Sequence, residues 1–258
     1  MKTIAIVNQK GGVGKTVTSV NLAIGLARQG KKVLGIDLDP QGSFTVSLGF
    51  TEQDKIPITI SSLLEKVIED EEIDTFEGIL HHEENIDFIP ANIELSGLEV
   101  TLINTMSRES VLKEYLKLVT DKYDYCILDC SPSLGMVTIN ALACADKLII
   151  PVQPQFLSVK GMEQLFKTIG KVRRQINPKL EIGGILITMA DMRTNYTKDI
   201  ISLLQTTYKD KLHIFESIVP LSVRASEISA EGKSIYAHAP TGKVAVAYEN
   251  MVSEVLYG

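Results

Sequence analysis

With 258 residues, 45 % hydrophobic and 22 % charged, the chain has a globular composition, which excludes disordered, collagen-like and coiled-coil architectures. The net charge of −6 weighs against a strongly basic nucleic-acid binder, and no apolar run reaches the ~18 residues that a membrane-spanning helix needs. Three cysteines cannot all pair internally, and the apolar opening at residues 1–7 is too short for a signal peptide, so a reducing, cytoplasmic setting is expected.

Short β-branched runs alternate with longer amphipathic stretches, the pattern of βαβ units. The predicted fold is α/β: a single domain over 1–258 with a doubly wound, mostly parallel sheet and helices on both faces. Strands are expected near 2–8, 33–38, 124–129, 147–152, 182–189 and 213–219, and helices over 15–29, 95–121, 136–144, 158–175, 196–209 and 241–256. Segment 51–90 carries 12 of the 32 acidic residues and two basic ones, Lys55 and Lys66, leaving 24 basic against 20 acidic residues elsewhere. It reads as a variable acidic elaboration on the core with short helices near 60–70 and 74–80. Residues 160–174 hold Lys160, Lys167, Lys171, Arg173 and Arg174 against Glu163, so a local basic face is compatible with the acidic total.

Between the first strand and the first helix stands Asn8-Gln9-Lys10-Gly11-Gly12-Val13-Gly14-Lys15-Thr16-Val17. Glycines let successive N–H groups turn inward around phosphate oxygens, and the following helix adds its positive N-terminal end. Lys15 can reach β- and γ-phosphates, and the Thr16 hydroxyl can bind Mg²⁺. After the second strand comes Asp37-Leu38-Asp39-Pro40-Gln41-Gly42, two carboxylates at the strand end where open α/β sheets bind ligands. Such a carboxylate can orient a water for in-line attack on a γ-phosphate or meet the metal through water. A third run, Tyr125-Cys126-Ile127-Leu128-Asp129, ends in the carboxylate expected of a Walker B strand.

The general phosphate-loop pattern wants a glycine at the position of Gln9, and this chain carries instead a second lysine, Lys10, beside Gly11-Gly12. Lys10-Gly11-Gly12-Val13-Gly14-Lys15-Thr16 resembles the deviant Walker A signature of the ParA/MinD ATPases, most closely the ParA/Soj partition branch. The resemblance continues through Asp37–Gly42, Asp129–Gly135, Pro151–Pro154, Thr188–Asn195 and Val219–Pro220, with Ser131 standing where proline is usual. It implies a P-loop NTPase that binds ATP through residues 10–17, with Mg²⁺ at Thr16, Asp39 and Asp129. It further implies that Lys10 crosses to a second subunit's phosphates in an ATP sandwich homodimer, that Lys10, Lys15 and Asp39 serve hydrolysis with Asp39 positioning the water, and that Asp37 helps hold the loop or metal shell. Pro220 would lie by the adenine, and Arg193 and Arg224 would bind DNA without sequence preference, extended by Lys198, Lys233 and the 160–174 cluster. A ParB-like centromere-binding partner and a nucleoid-associated place in the cytoplasm follow from the same resemblance.

Cys126, Cys130 and Cys144 show no Cys-x-x-Cys spacing and read as small buried hydrophobes rather than zinc ligands. His81-His82 reads as solvated. The last twelve residues hold no Lys or Arg, so the basic amphipathic helix of a membrane-bound MinD relative is not expected. The chain opens directly on its first strand, and no operator-binding helix-turn-helix is expected. Alternatives are an ATPase of the same fold that positions another cargo and a non-hydrolysing ATP-dependent scaffold.

Overall fold

Along β1 (Lys2–Ile6), Ile4 and Ile6 pack into one hydrophobic cluster, while Ala5 and the following Val7 pack into another. A strand that is apolar on both sides needs helices on both sides. The structure, a computed structural model, describes residues 1–222 and 231–258, the side chains of 157, 159 and 160 excepted. Its sheet runs β3 (Leu80–His82), β4 (Ile86–Ile89), β2 (Val33–Leu38), β5 (Tyr125–Cys130), β1, β6 (Lys147–Val152), β7 (Glu181–Ala190), β8 (Ile214–Pro220). Only β3 is antiparallel to its neighbour. The expected doubly wound, mostly parallel α/β fold is therefore present.

One face is covered by α1 (Lys15–Arg28), α2 (Ser43–Ser47), a short α9 (Ile235–His238) and α10 (Lys243–Tyr257), meeting through Leu22, Phe44, Tyr236, Tyr248 and Met251. The other is covered by α3 (Ile60–Ile68), α4 (Leu95–Ile103), α5 (Val111–Val119), α6 (Met136–Cys144), α7 (Phe156–Gln175) and α8 (Asn195–Tyr208). Cys126 and Cys130 are buried within this second core and Cys144 packs against it, as expected of small hydrophobes. No helix among the described residues is long and apolar enough to cross a membrane.

Four expectations are corrected. The single helix over 95–121 is two, because Ser107 takes a left-handed backbone (φ 51°) and Ser110 donates from both its N–H and its hydroxyl to the Ser107 carbonyl. Serine side chains that bond locally favour such turns over a continuing helix. The acidic 51–90 segment is no mere elaboration: β4 pairs with β2, and Ile60, Leu63, Leu64, Ile86, Phe88 and Ile89 are fully buried. The helix expected at 74–80 is replaced by a turn in which the Asp74 carboxylate accepts from the Phe76 N–H. Beyond it the chain forms the β3–β4 hairpin.

The hairpin is tied to the far end of the chain. His82 is buried, its Nε2 3.2 Å from the Gly232 carbonyl, and the Glu84 carboxylate accepts from the Ser234 N–H and hydroxyl. His81 faces the other way, its Nδ1 2.7 Å from Asp87 Oδ1. The expectation that both histidines are simply solvated fails, because alternation along a strand sends neighbours to opposite faces. At the opposite edge of the sheet, Glu254 of α10 accepts from the backbone N–H groups of Glu216 and Ser217 on β8.

Candidate nucleotide site

The loop between β1 and α1 lies at the centre of the sheet, at the strand C-terminal edge. Asn8 fixes its start by donating to the Pro151 carbonyl and accepting from the Lys10 N–H. Its middle is held from β6 and β7: Gln153 donates to the Gly12 carbonyl and Thr188 donates to that of Val13. Gly12 and Gly14 adopt φ of 69° and 85°, conformations that a side chain would strain, and an added Cβ at Gly11 or Gly12 would meet open space. The glycines therefore serve backbone direction and ligand approach rather than internal packing.

This loop forms one wall of a hollow of about 540 Å³, completed by Lys15, Thr16, Val17, Asp39, Gln41, Ser43, Pro132 and Met189. The volume is that of a small-molecule pocket, roughly 300–1,000 Å³. Of the predicted nucleotide ligands, Gly11, Gly12, Gly14, Lys15, Thr16 and Val17 line it. Val13 is buried beneath, contributing backbone alone. Pro220 lies instead in a separate hollow of about 240 Å³ with Leu221, Ser222 and Lys243.

At the foot of the loop the three sequence elements meet. Thr16 Oγ1 donates to Asp129 Oδ2 at 2.8 Å, and Ser19, one turn along α1, donates to Oδ1 at 2.6 Å. Asp37 pairs with Asp129 in register across β2 and β5, and both are buried. Asp37 accepts from the Thr45 N–H and hydroxyl and from the Asp39 N–H, and Thr45 in turn accepts from the Ala91 N–H. Burial, and for Asp37 next the Asp129 charge, pushes both carboxyls above the usual carboxylate range. Bonds from Ser19 and Thr16 and the Lys15 charge oppose this at Asp129, while burial lowers the Lys15 ammonium. Asp39, half-buried, lines the hollow and accepts from the Gln41 N–H.

The buried Asp129 carboxylate, the half-buried Asp39 carboxylate and the Thr16 hydroxyl make an oxygen donor set that suits a hard divalent cation. No group of three or more His, Cys, Asp or Glu able to cage a metal exists among the described residues. Mg²⁺ is commonly held by one or two protein oxygens plus waters and substrate phosphates. Thr16, Asp129 and Asp39 thus fit the predicted metal role, whereas Asp37 is spent on the loop.

Lys10 does not face the hollow. Its Nζ donates to Gln155 Oε1 at 2.7 Å and to Ser158 Oγ at 3.0 Å, at the start of α7. Lys15 Nζ meanwhile donates to the Lys10 carbonyl. Below Asp129, the loop 131–135 leads into α6, whose first N–H groups, those of Met136 and Val137, donate to the Glu99 carboxylate of α4.

A family model described as an AAA domain matches residues 1–182. The sporulation initiation inhibitor protein Soj of Bacillus subtilis is 42 % identical over 254 residues, covering 98 % of each chain. The chromosome-partitioning ATPase Soj of Treponema pallidum is 36 % identical, covering 99 % of this chain and 97 % of that one. This chain belongs to the ParA/Soj family of partition ATPases. Among solved structures, the family fold recurs in a cobyrinic acid a,c-diamide synthase from Mycobacterium smegmatis with bound ADP and magnesium, at TM-score 0.86 and 32 % identity, covering 99 % and 94 % of the chains. It recurs also in a putative plasmid partition protein from Borrelia burgdorferi bound to AMPPNP, at 0.78 and 26 %, covering 99 % and 98 %.

Sequence reasoning missed Ser19, Thr45, Gln155, Ser158 and Glu99. Ser19 alone had a signal: three residues after Thr16, it shares that residue's helix face. Arg193 is exposed and held by the Asp191 carboxylate, with Nε and Nη2 each at 2.8 Å. Those bonds hold Asp191 down to about 2. Arg224 lies outside the described residues.

Proposed function

We propose that this ParA/Soj family member hydrolyses ATP with Mg²⁺ and uses the cycle to partition DNA. The observation that carries the reading is the Thr16–Asp129 contact at the foot of a glycine loop, with Asp39 opening into the same hollow. Thr16 and Asp129 would hold Mg²⁺, which when bound neutralises charge on the β- and γ-phosphates. Asp39 orients the attacking water, and Lys15 meets the charge that develops on the transferred phosphoryl group. For Lys10 to reach a second subunit's phosphates it must first leave Gln155 and Ser158, so dimer formation and release of the start of α7 are one event.

The ATP-bound homodimer binds DNA through phosphate contacts. Lys167, Lys171, Arg173, Arg174, Lys198 and Lys233 are all exposed. At Arg193 a DNA phosphate has to replace the Asp191 carboxylate, and Arg224 remains a candidate from the family resemblance. Two weak basic patches, one on each copy joined by ATP, gain affinity through effective concentration, which makes dimerisation a switch for DNA binding. A ParB-like partner stimulates hydrolysis and resets the cycle, in a nucleoid-associated cytoplasmic protein.

The test is binding to a random DNA duplex at low and moderate salt, with ATP, with ADP and without nucleotide. Binding that requires ATP, falls with salt and ignores sequence is expected. Absence of binding in every state would overturn the DNA role and assign the ATPase another cargo.

A further inference from the structure

A second hollow, of about 550 Å³, opens at the edge of the sheet opposite the phosphate loop, where β2, β4 and β5 begin. Its rim carries Lys31 and Lys32 from the α1–β2 turn and Lys122 from the α5–β5 turn, all exposed. None of the three is ion-paired to a carboxylate among the described residues, unlike Lys55, Lys66 and Lys117. Its floor is a built polar group. Asp87, on β4, accepts from Tyr123 Oη at 2.8 Å and lies 2.7 Å from His81 Nδ1. Burial, and then the bond to Asp87, push the Tyr123 phenol up, so it keeps its proton and donates. Both Asp87 oxygens are thereby engaged within the protein. Phe76 supplies an apolar wall: the residue is 59 % exposed, with Lys122 Nζ 5.9 Å from its ring centroid.

We propose that this hollow is a second anion site that takes a small phosphate ester carrying a flat ring, of mononucleotide size. The three ammonium groups meet the phosphate, and Phe76 meets the ring. A concave site of this volume suits one molecule of that size. A six-residue strand spans roughly 20 Å, so the hollow and the phosphate loop lie on opposite sides of the molecule and can be filled together. Cations at the start of strands also meet no helix N-terminus, so affinity here rests on side chains and is salt-sensitive.

The test is equilibrium dialysis of the full chain against radiolabelled ADP with Mg²⁺, counting bound nucleotide per chain up to millimolar concentration. Two bound equivalents are expected, the weaker one lost at raised salt. A Lys31→Glu, Lys122→Glu double variant should bind one equivalent with unchanged affinity at the phosphate loop, and Phe76→Ala should weaken only the second. A single equivalent in the unmodified chain overturns the proposal, as does a second equivalent that survives the double substitution. Inorganic pyrophosphate serves as the ringless control: competition as strong as that of ADP removes the role of Phe76 and reduces the site to a bare anion trap. A random DNA duplex that displaces the second ADP, and loses affinity in the double variant, overturns the small-ligand assignment in favour of a DNA contact.

Discussion

Asp39 and Asp37 are two residues apart and do different work, which follows from their burial. Asp37 is wholly enclosed and takes three hydrogen bonds from its own loop, while Asp39 is half-buried and faces the hollow. Replacing Asp39 with alanine should therefore leave ATP binding within a few-fold and lower kcat by ~10²-fold or more, the usual worth of a group that positions a reacting water. Steady-state turnover beside nucleotide titration checks this, and unchanged turnover would move the water-positioning role elsewhere. Lys10 makes the second residue-scale case. Removing its acceptors with Gln155→Ala and Ser158→Ala together should lower the ATP concentration at which the protein dimerises, read by light scattering or analytical ultracentrifugation. A shift to higher ATP concentration would mean that these acceptors help the dimer form rather than holding the monomer apart. The nucleotide loop, Thr16 and Asp129 were legible in the sequence because each follows a strand with a recognisable local pattern. Gln155 and Ser158 were not, because they reach Lys10 across 145 and 148 positions of chain and carry no motif of their own.

Glu99 shows how one element governs another. Its carboxylate closes the N-terminus of α6, directly after the loop that leads away from Asp129. A negative group there satisfies N–H donors and complements the helix dipole, worth ~1 kcal/mol. Glu99→Ala should lower the thermal midpoint by roughly 2–4 °C for that loss, measurable by differential scanning fluorimetry. Nothing in the sequence marked this contact, since a glutamate on an exposed helix turn looks like ordinary solvated charge. The β3–β4 hairpin was missed for a related reason. Its acidic surroundings hid a short run, Ile86-Asp87-Phe88-Ile89, bounded by Asn85 and Pro90, which in isolation has the composition of a strand. By contrast β5 and β6 announced themselves through the apolar runs Tyr125-Cys126-Ile127-Leu128 and Leu148-Ile149-Ile150, because helices cover both their faces.

The whole molecule depends on that hairpin more than its composition suggests. Phe88 is fully buried and meets Phe44 and Phe50 edge-on, with centroids at 6.4 and 5.0 Å. Phe88→Ala should cost ~3–5 kcal/mol, most of the margin of an ordinary domain, and shift the urea midpoint accordingly. A cost below ~1 kcal/mol would mean that the acidic segment folds independently of the core after all.

The two outer strands carry a consequence for how such molecules tolerate one another. An open sheet normally ends in a row of unsatisfied amide and carbonyl groups, a template on which neighbouring chains add strand to strand. Here one end is a strand of three residues running into Glu83 and Glu84, and at the other Glu254 occupies the amides of Glu216 and Ser217. Both features oppose the addition of a further strand. Were the chain to gather at high density on DNA as proposed above, edges of this kind would let copies crowd without adding strand to strand.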